Sequence, residues 1–305
     1  MQLHLNTPLL NSRALSQLSG SNIWLKMEAL QPSGSFKIRG VGLACQTCFE
    51  QGARRFISSS GGNAGLAVAY AGRLLGVPVT VVVPETTSAC ARELLHLEQA
   101  EVIVHGASWQ EANQFALSLR GESDAFIHPF DDPLLWRGHA TMIDEVVASG
   151  VRPDAVVLSV GGGGLLSGVI EGLQRNGLND VPVIAVETEG AASFRAATEA
   201  GRAVELERIS TVATSLGAKK VCEQAIRLAG RHPVISEVVS DEQAVRACLQ
   251  FIDDHRVVTE PACGASLACV YQQRAVLAPF RHPLVIVCGG ATLSAQQLHD
   301  LTVGE

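Results

Sequence analysis

Short apolar runs that end in glycine, serine or proline alternate along this chain with longer helical segments. Three such runs, Arg55–Ser59, Val79–Val83 and Val102–Val104, are each followed by a segment with helical spacing. Later runs of the same kind lie at Ala155–Val160, Val183–Glu187 and Leu284–Cys288. Strands separated by helices are typical of parallel sheets, because a parallel connection must cross over the sheet. The alternation therefore predicts an α/β fold of open, mostly parallel sheets flanked by helices.

The spacing of these strands indicates two sheets. The strands between residues 55 and 104 would form a small sheet, and those after residue 150 a larger one. Asn22–Glu28 also reads as a strand that must pair in one of the two. A chain of 305 residues with 47% apolar residues is long enough for about two domains. Ligands of open α/β sheets bind at the carboxyl ends of the strands, so we expect the site in the turns there.

Charge and hydropathy argue against several classes of function. The net charge of −7 makes nucleic acid an unsuitable main partner, since phosphate binding requires a basic face. No apolar stretch approaches the ~20 residues that span a bilayer. The first ten residues lack the basic and apolar segments of a signal peptide. We therefore expect a soluble, cytoplasmic protein.

The eight cysteines are interpreted as reduced thiols. Cys45 and Cys48 form one Cys-x-x-Cys pair, but no second pair lies at zinc-ribbon spacing. Most of the others lie in apolar surroundings, namely Cys222, Cys248, Cys263 and Cys269. Free cysteine behaves as a small apolar residue, so burial explains these positions. A zinc or disulfide role is the alternative.

The first segment that carries chemistry is Pro32–Gly40, which surrounds Lys37 with small polar residues. A lone lysine is ordinarily a surface residue. Lysines that form imines with carbonyl cofactors need a lowered pKa, which burial or a nearby cation supplies. The Pro32–Gly40 segment makes Lys37 a candidate for a lysine that forms an imine with a carbonyl cofactor.

Three glycine-rich turns follow predicted strands. Ser58–Gly65 opens a helix, so its backbone N–H groups and hydroxyls suit a carboxylate or phosphate; an ordinary turn is the alternative. Gly161–Leu165 brings four glycines to the start of another helix. The third glycine of a dinucleotide fingerprint is missing there, because Leu166 or Ser167 stands in its place. A simple phosphate-binding turn fits better, and Val287–Gly290 adds a thiol at the end of a further strand.

Together these segments resemble the eukaryotic-type L-serine/L-threonine dehydratases, which belong to the tryptophan-synthase-β-like (fold-type II) superfamily of pyridoxal-phosphate (PLP) enzymes. The resemblance covers nearly the whole chain and rests on Gln31–Gly40, Ser59–Gly65, Pro129–Pro133, Leu158–Leu166, Ile184–Ser193, Glu260–Ala265 and Val285–Gly290. It implies a large PLP-binding domain of residues 1–38 and 137–305 and a small domain of residues 39–136. It also implies a homodimer.

The resemblance further implies a role for each site residue. Lys37 would carry PLP as a Schiff base and remove the substrate α-proton. Other cofactor contacts would come from Phe36, Asn63, Gly161, Gly162, Gly163, Gly164, Leu165 and Cys288. The substrate carboxylate would be bound by Ser60, Gly61, Asn63 and Ala64. A monovalent cation, potassium, would be bound by Glu187, Ala191, Ser193, Leu216 and Ala218.

The activity implied is β-elimination from a small amino acid. L-serine would give pyruvate and ammonia, and L-threonine would give 2-oxobutyrate and ammonia. A serine racemase-like activity on the same fold is the main alternative. A weakly active PLP-binding protein is another, because some dehydratases of this family carry alanine where this chain has Gly61. We expect no regulatory domain after Cys288, and hence no control by isoleucine.

Overall fold

A computed structural model describes residues 2–303, so that Met1, Gly304 and Glu305 of the predicted large domain lie outside it. The strands are β1 Leu9–Asn11, β2 Trp24–Lys26, β3 Arg55–Ser58, β4 Val79–Val83, β5 Glu101–Val104, β6 Asp124–Phe126, β7 Ala155–Ser159, β8 Val183–Thr188, β9 Val234–Val239 and β10 Pro283–Ile286. The α-helices are α1 Arg13–Ser19, α2 Lys37–Glu50, α3 Asn63–Leu75, α4 Ala89–Leu97, α5 Trp109–Ser118, α6 Pro133–Ala148, α7 Gly164–Arg175, α8 Ser193–Ala200, α9 Glu223–Ala229, α10 Asp241–His255, α11 Pro261–Tyr271 and α12 Ala295–Val303. Short 3-10 helices lie at Glu28–Leu30, Glu189–Ala191, Thr214–Leu216 and Ala275–Leu277.

The larger sheet has the strand order β1-β2-β10-β7-β8-β9. Only the β1–β2 pair is antiparallel. In the centre of the sheet Val285 pairs with Leu25 on one side and Val157 on the other, and all three are fully buried. A parallel strand covered on both faces is apolar at consecutive positions, which explains the continuous run in β7.

The smaller sheet has the order β5-β4-β3-β6, and every pair in it is parallel. Two mostly parallel sheets flanked by helices confirm the predicted fold class. The predicted strand at Asn22–Glu28 is β2, and it pairs in the larger sheet. The short strand β6 joins the smaller sheet and was not predicted.

Local sequence determines where several helices begin. Helix α10 begins directly after Ser240, and its first turn is closed by a capping box between Ser240 and Gln243. Asp132 caps α6 through a bond from the Leu134 N–H, and Pro133 occupies the first helical position. These caps satisfy N–H groups that the first turn of a helix leaves without partners.

The proposed domain boundaries fall within two helices that pack against each other. The boundary at residues 38 and 39 lies in α2, and that at 136 and 137 lies in α6. One apolar core surrounds the larger sheet, and a second lies on the smaller one around Phe56 and Val81. The separate cores agree with two domains, whereas the boundaries themselves stay a prediction.

The eight cysteines are all free thiols, and six of them are buried. The predicted buried thiols are therefore confirmed for Cys222, Cys248, Cys263 and Cys269. Across residues 2–303, no helix combines the length and apolar character that a membrane span requires.

Candidate active site

A cleft of about 1540 Å³ lies where turns that follow β3, β7 and β10 meet. All of the predicted cofactor and substrate residues line this cleft, namely Phe36, Lys37, Ser60, Gly61, Asn63, Ala64, Gly161, Gly162, Gly163, Gly164, Leu165 and Cys288. The structure thus brings together segments that lie more than 200 residues apart in sequence. Strand ends that meet at one crevice are the usual ligand position in open α/β sheets.

Lys37 is the first residue of α2, and its amine lies in the cleft. The amine donates a hydrogen bond to the Pro129 carbonyl at 2.6 Å. Burial lowers the pKa of Lys37 to about 8, although nearby Cys288 and Glu260 act in the opposite direction. A lysine with this pKa keeps a substantial neutral fraction near neutral pH, as a nucleophile or base requires.

Phe36, the residue before Lys37, is fixed by contacts on two sides. Its backbone N–H donates to the Cys288 carbonyl at 3.1 Å. Its ring meets the His139 ring edge to face, with centroids 4.8 Å apart. Burial keeps the pKa of His139 well below its ordinary value, so this imidazole packs as a neutral ring.

The turn after β3 places Asn63 at the start of α3. The Asn63 Nδ2 donates to Glu260 Oε1 at 2.8 Å and to Ser215 Oγ at 3.3 Å. The Asn63 Oδ1 accepts from the Ala291 N–H at 3.1 Å. The amide is thus held from both sides while its residue lines the cleft.

The glycine turn after β7 is closed on one side by Phe130. A Cβ at Gly162 would lie 2.3 Å from the Phe130 ring, and one at Gly164 would lie 2.7 Å from the Phe130 carbonyl oxygen. Gly163 has a φ of +88°, which favours glycine on backbone grounds. Only glycine fits these positions, and the turn leads into α7, whose N-terminus is suited to an anion.

Cys288 lies two residues beyond β10, beside other buried thiols. A hydrogen bond with the Cys263 thiol and burial both raise the pKa of Cys288 well above its ordinary value. The Cys248 thiol donates to the Glu260 carbonyl at 3.2 Å. Cys288 therefore presents a neutral thiol to the cleft.

Three of the predicted cation residues, Glu187, Ala191 and Ser193, lie outside the lining of the cleft. Glu187 is fully buried, and its carboxylate accepts from the Phe194 and Arg195 N–H groups at 2.7 and 2.8 Å. Burial raises the pKa of Glu187 to about 7. Ala191 and Ser193 are also fully buried.

The loop that carries the other two cation residues packs against this group. The Ser210 N–H donates to the Gly190 carbonyl at 3.0 Å. Leu216 and Ala218 follow in the same loop and line the cleft, which Glu187, Ala191 and Ser193 do not. The Leu216 carbonyl already accepts from the Ala218 N–H at 2.8 Å.

Three further residues of the cleft contact the predicted site residues, although the sequence assigned them no role. Glu260 is only 5% exposed, yet its carboxyl group lies within hydrogen-bond distance of Asn63 and Thr292. Pro129 holds the lysine amine, and Phe130 closes the glycine turn. An acidic residue directly before a proline at a helix start was the available signal for Glu260.

Comparison with known proteins gives consistent results. A family model described as pyridoxal-phosphate dependent enzyme matches residues 1–289. A human L-serine dehydratase/L-threonine deaminase is 50% identical, covering 98% of this chain and 94% of its own. A human serine dehydratase-like protein is 48% identical, covering 98% of this chain and 94% of its own. The crystal structure of a fungal L-serine ammonia-lyase from Rhizomucor miehei superposes with a TM-score of 0.95 at 36% identity, covering 100% of this chain and 99% of that one.

Proposed function

This chain belongs to the pyridoxal-phosphate-dependent enzyme family, and on that premise we propose that it is an L-serine/L-threonine ammonia-lyase. It would convert L-serine to pyruvate and ammonia, and L-threonine to 2-oxobutyrate and ammonia. The observation that carries the proposal is a single cleft in which the Lys37 amine meets two glycine-rich turns at helix N-termini. The names of the similar human and fungal proteins agree with this activity.

The residues of the cleft fit pyridoxal phosphate. The Lys37 amine, with its lowered pKa, suits covalent attachment to the cofactor aldehyde. The N–H groups of the Gly161–Gly164 turn suit its phosphate. Ser35 lines the cleft and is 1% exposed, and its buried hydroxyl has no hydrogen-bond partner within the described part of the chain. A bound polar group would supply that partner.

The proposed mechanism assigns one task to each segment. Pyridoxal phosphate, when bound, supplies an electron sink for the α-carbon of the substrate. Lys37 Nζ takes the α-proton, and the Pro129 carbonyl holds this amine while it is free. The Ser60–Ala64 turn binds the substrate carboxylate through its N–H groups and the start of α3. The net reaction turns L-serine into pyruvate and ammonia, because the water lost in elimination is regained in hydrolysis.

Cys288 is the proposed partner of the pyridine nitrogen. Its bond with Cys263 and its burial keep it a neutral thiol. A carboxylate at this position would hold the nitrogen protonated and strengthen the electron sink. A neutral thiol would leave the bound cofactor a weaker electron sink, which would favour elimination over return of the proton to the α-carbon.

The test of the proposal is pyruvate formation from L-serine by the purified protein with added PLP. We expect pyruvate and ammonia in equal amounts, and 2-oxobutyrate from L-threonine. D-serine that accumulates ahead of pyruvate would favour the racemase alternative, which has less support from the similar proteins. PLP uptake without either product would leave a weakly active PLP-binding protein.

We also propose a potassium site beside Glu187. Burial raises the pKa of the Glu187 carboxylate, although the Phe194 and Arg195 N–H groups and the Arg195 charge act in the opposite direction, and a bound cation would favour its ionised form. The Ser193 hydroxyl is fully buried and has no hydrogen-bond partner among residues 2–303. An unpartnered oxygen beside a buried carboxylate is the kind of ligand that a hard monovalent cation accepts.

Potassium should raise the melting temperature of the holoenzyme. We expect a rise of about 2–4 °C when potassium chloride replaces tetramethylammonium chloride at equal ionic strength, since a ligand stabilises the state that binds it. Glu187→Gln keeps the shape of the side chain and should lose most of this difference. Equal melting temperatures of the natural protein in the two salts would contradict the site.

The structure shows which side chains an alanine at Gly61 would contact. The residue is outside the left-handed region, so alanine is not strained there. A Cβ would nevertheless lie 2.7 Å from Thr87 Cγ2 and 3.1 Å from Val83 Cγ1. An alanine that orders the turn and aligns the substrate therefore needs Thr87 to give way.

Gly61→Ala alone should consequently bring no gain in kcat/KM for L-serine, whereas Gly61→Ala/Thr87→Ser should raise it about fivefold, the equivalent of ~1 kcal/mol. Thr87→Ser alone is the control for the lost methyl group. Steady-state kinetics on L-serine decide the matter. An equal gain in the single and double variants would show that Thr87 does not limit the turn.

We propose a homodimer in the cytoplasm, in line with the family resemblance and with eight free thiols that a reducing compartment preserves. Size-exclusion chromatography with light scattering measures the first, and localisation of the tagged chain measures the second.

A further inference from the structure

Glu260 is the buried acid of the cleft, and nothing in the proposed mechanism uses it. It lies directly before α11, and its side chain reaches the turn that follows β10. A Cβ at Gly290 would lie 2.2 Å from the Glu260 carboxyl carbon, and Gly290 has a φ of +142°. The glycine therefore leaves the room in which the carboxyl group sits.

The side-chain amide of Asn63 can satisfy its hydrogen bonds to Glu260 and Ala291 in only one of its two orientations. Glu260 Oε1 accepts from Nδ2 at 2.8 Å, and the Ala291 N–H donates to Oδ1 at 3.1 Å. An amide rotated by half a turn would place oxygen against the carboxyl oxygen and nitrogen against the N–H group. Both bonds would be lost, so Glu260 and Ala291 together decide which end of the amide is the donor.

The remaining contacts of Glu260 suit the same task. Thr292 Oγ1 donates to Oε2 at 3.3 Å. Burial raises the pKa of Glu260, while hydrogen bonds from Ser215, Asn63 and Thr292 and the positive charge of Lys37 lower it. An acceptor oxygen at the position of Oε1 is present in either protonation state, so the bond to Asn63 does not depend on the charge.

We propose that Glu260 is a positioning residue for the cofactor. It holds the Asn63 amide with Nδ2 as its donor end, so that the second N–H group, which donates to Ser215 Oγ at 3.3 Å in this structure, would be available to the phenolic oxygen of pyridoxal phosphate. The inference rests on the proposed function, in which Asn63 contacts that oxygen.

The test measures PLP binding to the cofactor-free protein rather than turnover. Dissociation constants come from absorbance titration of the natural protein and of Glu260→Ala, Glu260→Gln, Asn63→Ala and Glu260→Ala/Asn63→Ala. Melting temperatures of the same cofactor-free proteins establish that each one is folded. Glu260→Met fills the volume without an acceptor, and it carries the comparison if Glu260→Ala does not fold.

We expect Glu260→Ala to weaken PLP binding about three- to tenfold, the effect of one hydrogen bond. Glu260→Gln keeps an acceptor oxygen and should bind within about twofold of the natural protein. The double variant should bind no more weakly than Asn63→Ala, because Glu260 acts through that amide. Multiplied effects in the double variant, or a Glu260→Gln variant as weak as Glu260→Ala, would overturn the inference.

A second measurement separates positioning from a general structural effect. A hydrogen bond to the phenolic oxygen favours its deprotonated form, so its loss should raise the pH at which the absorption of bound PLP changes. We expect this rise in Glu260→Ala and Asn63→Ala, but not in Glu260→Gln. An unchanged midpoint in Glu260→Ala counts against the inference. A natural protein that binds no PLP would instead refute the proposed function.

Discussion

Lys37→Ala is expected to lower the rate of pyruvate formation by ~10²–10⁴-fold or more, the contribution of a positioned acid-base group. The variant would lose both the proposed base and the amine proposed to attach the cofactor. Its fold should persist, because the only hydrogen bond of the Lys37 amine is to the Pro129 carbonyl within the described residues. Initial rates on L-serine with saturating PLP measure the first effect.

Covalent attachment gives a second measurement. Borohydride reduction followed by peptide mass mapping should place the cofactor on the peptide that contains Lys37, and should find none in the variant. Lys220→Ala is the matched control, since Lys220 is an exposed lysine at the same cleft. It should retain both attachment and rate. Attachment to another lysine in the natural protein would remove Lys37 from the mechanism.

Much of the fold was predictable from local pattern. The strand Val79–Val83 was predicted with the bounds that the structure shows, because a run of valines is closed by Pro84. The short strand Asp124–Phe126 was not predicted, since three residues carry too little periodicity to be recognised. The pairing of β2 with β10 could not be predicted from the sequence either, because it joins segments about 260 residues apart.

The candidate site divides in the same way. The glycine-rich turns Ser58–Gly65 and Gly161–Leu165 could each be predicted as an anion-binding site from their own residues, because small residues leave the N–H groups of the following helix N-terminus accessible. Their convergence on one cleft is now visible, while their individual roles stay proposals. No role could be assigned to Glu260 from the sequence, since its proposed role depends on a hydrogen bond with Asn63, which lies 197 residues away. Family resemblance pointed to the segment but not to the contact.

Arg39 is a further residue whose environment only the structure reveals. It lies two positions after Lys37 and is fully buried. Its guanidinium donates to both oxygens of Glu28 at 2.7 and 2.8 Å, and to both oxygens of Glu145 at 2.8 and 2.7 Å. Lys26 completes the cluster with a bond of 2.6 Å to Glu145.

This cluster of two cations and two carboxylates is neutral as a whole. Burial and the nearby Arg39 charge lower the pKa of the adjacent His4 to about 4, so the imidazole adds no charge near neutral pH. The cluster joins α2 to β2, α6 and the 3-10 helix that begins at Glu28. It therefore fixes the helix whose first residue is the catalytic lysine candidate.

Arg39→Met is expected to lower the free energy of unfolding by ~3–5 kcal/mol, because it leaves the buried Glu28 and the partly buried Glu145 with one lysine. Arg39→Met/Glu28→Met restores neutrality through the remaining Lys26–Glu145 pair, so it should be more stable than the single variant. Arg73→Met removes a half-exposed ion pair with Glu98, and it should change stability by no more than ~1 kcal/mol. Urea unfolding of the cofactor-free proteins compares all three. A double variant less stable than Arg39→Met would show that the hydrogen-bond geometry of Glu28, rather than charge balance, stabilises the cluster.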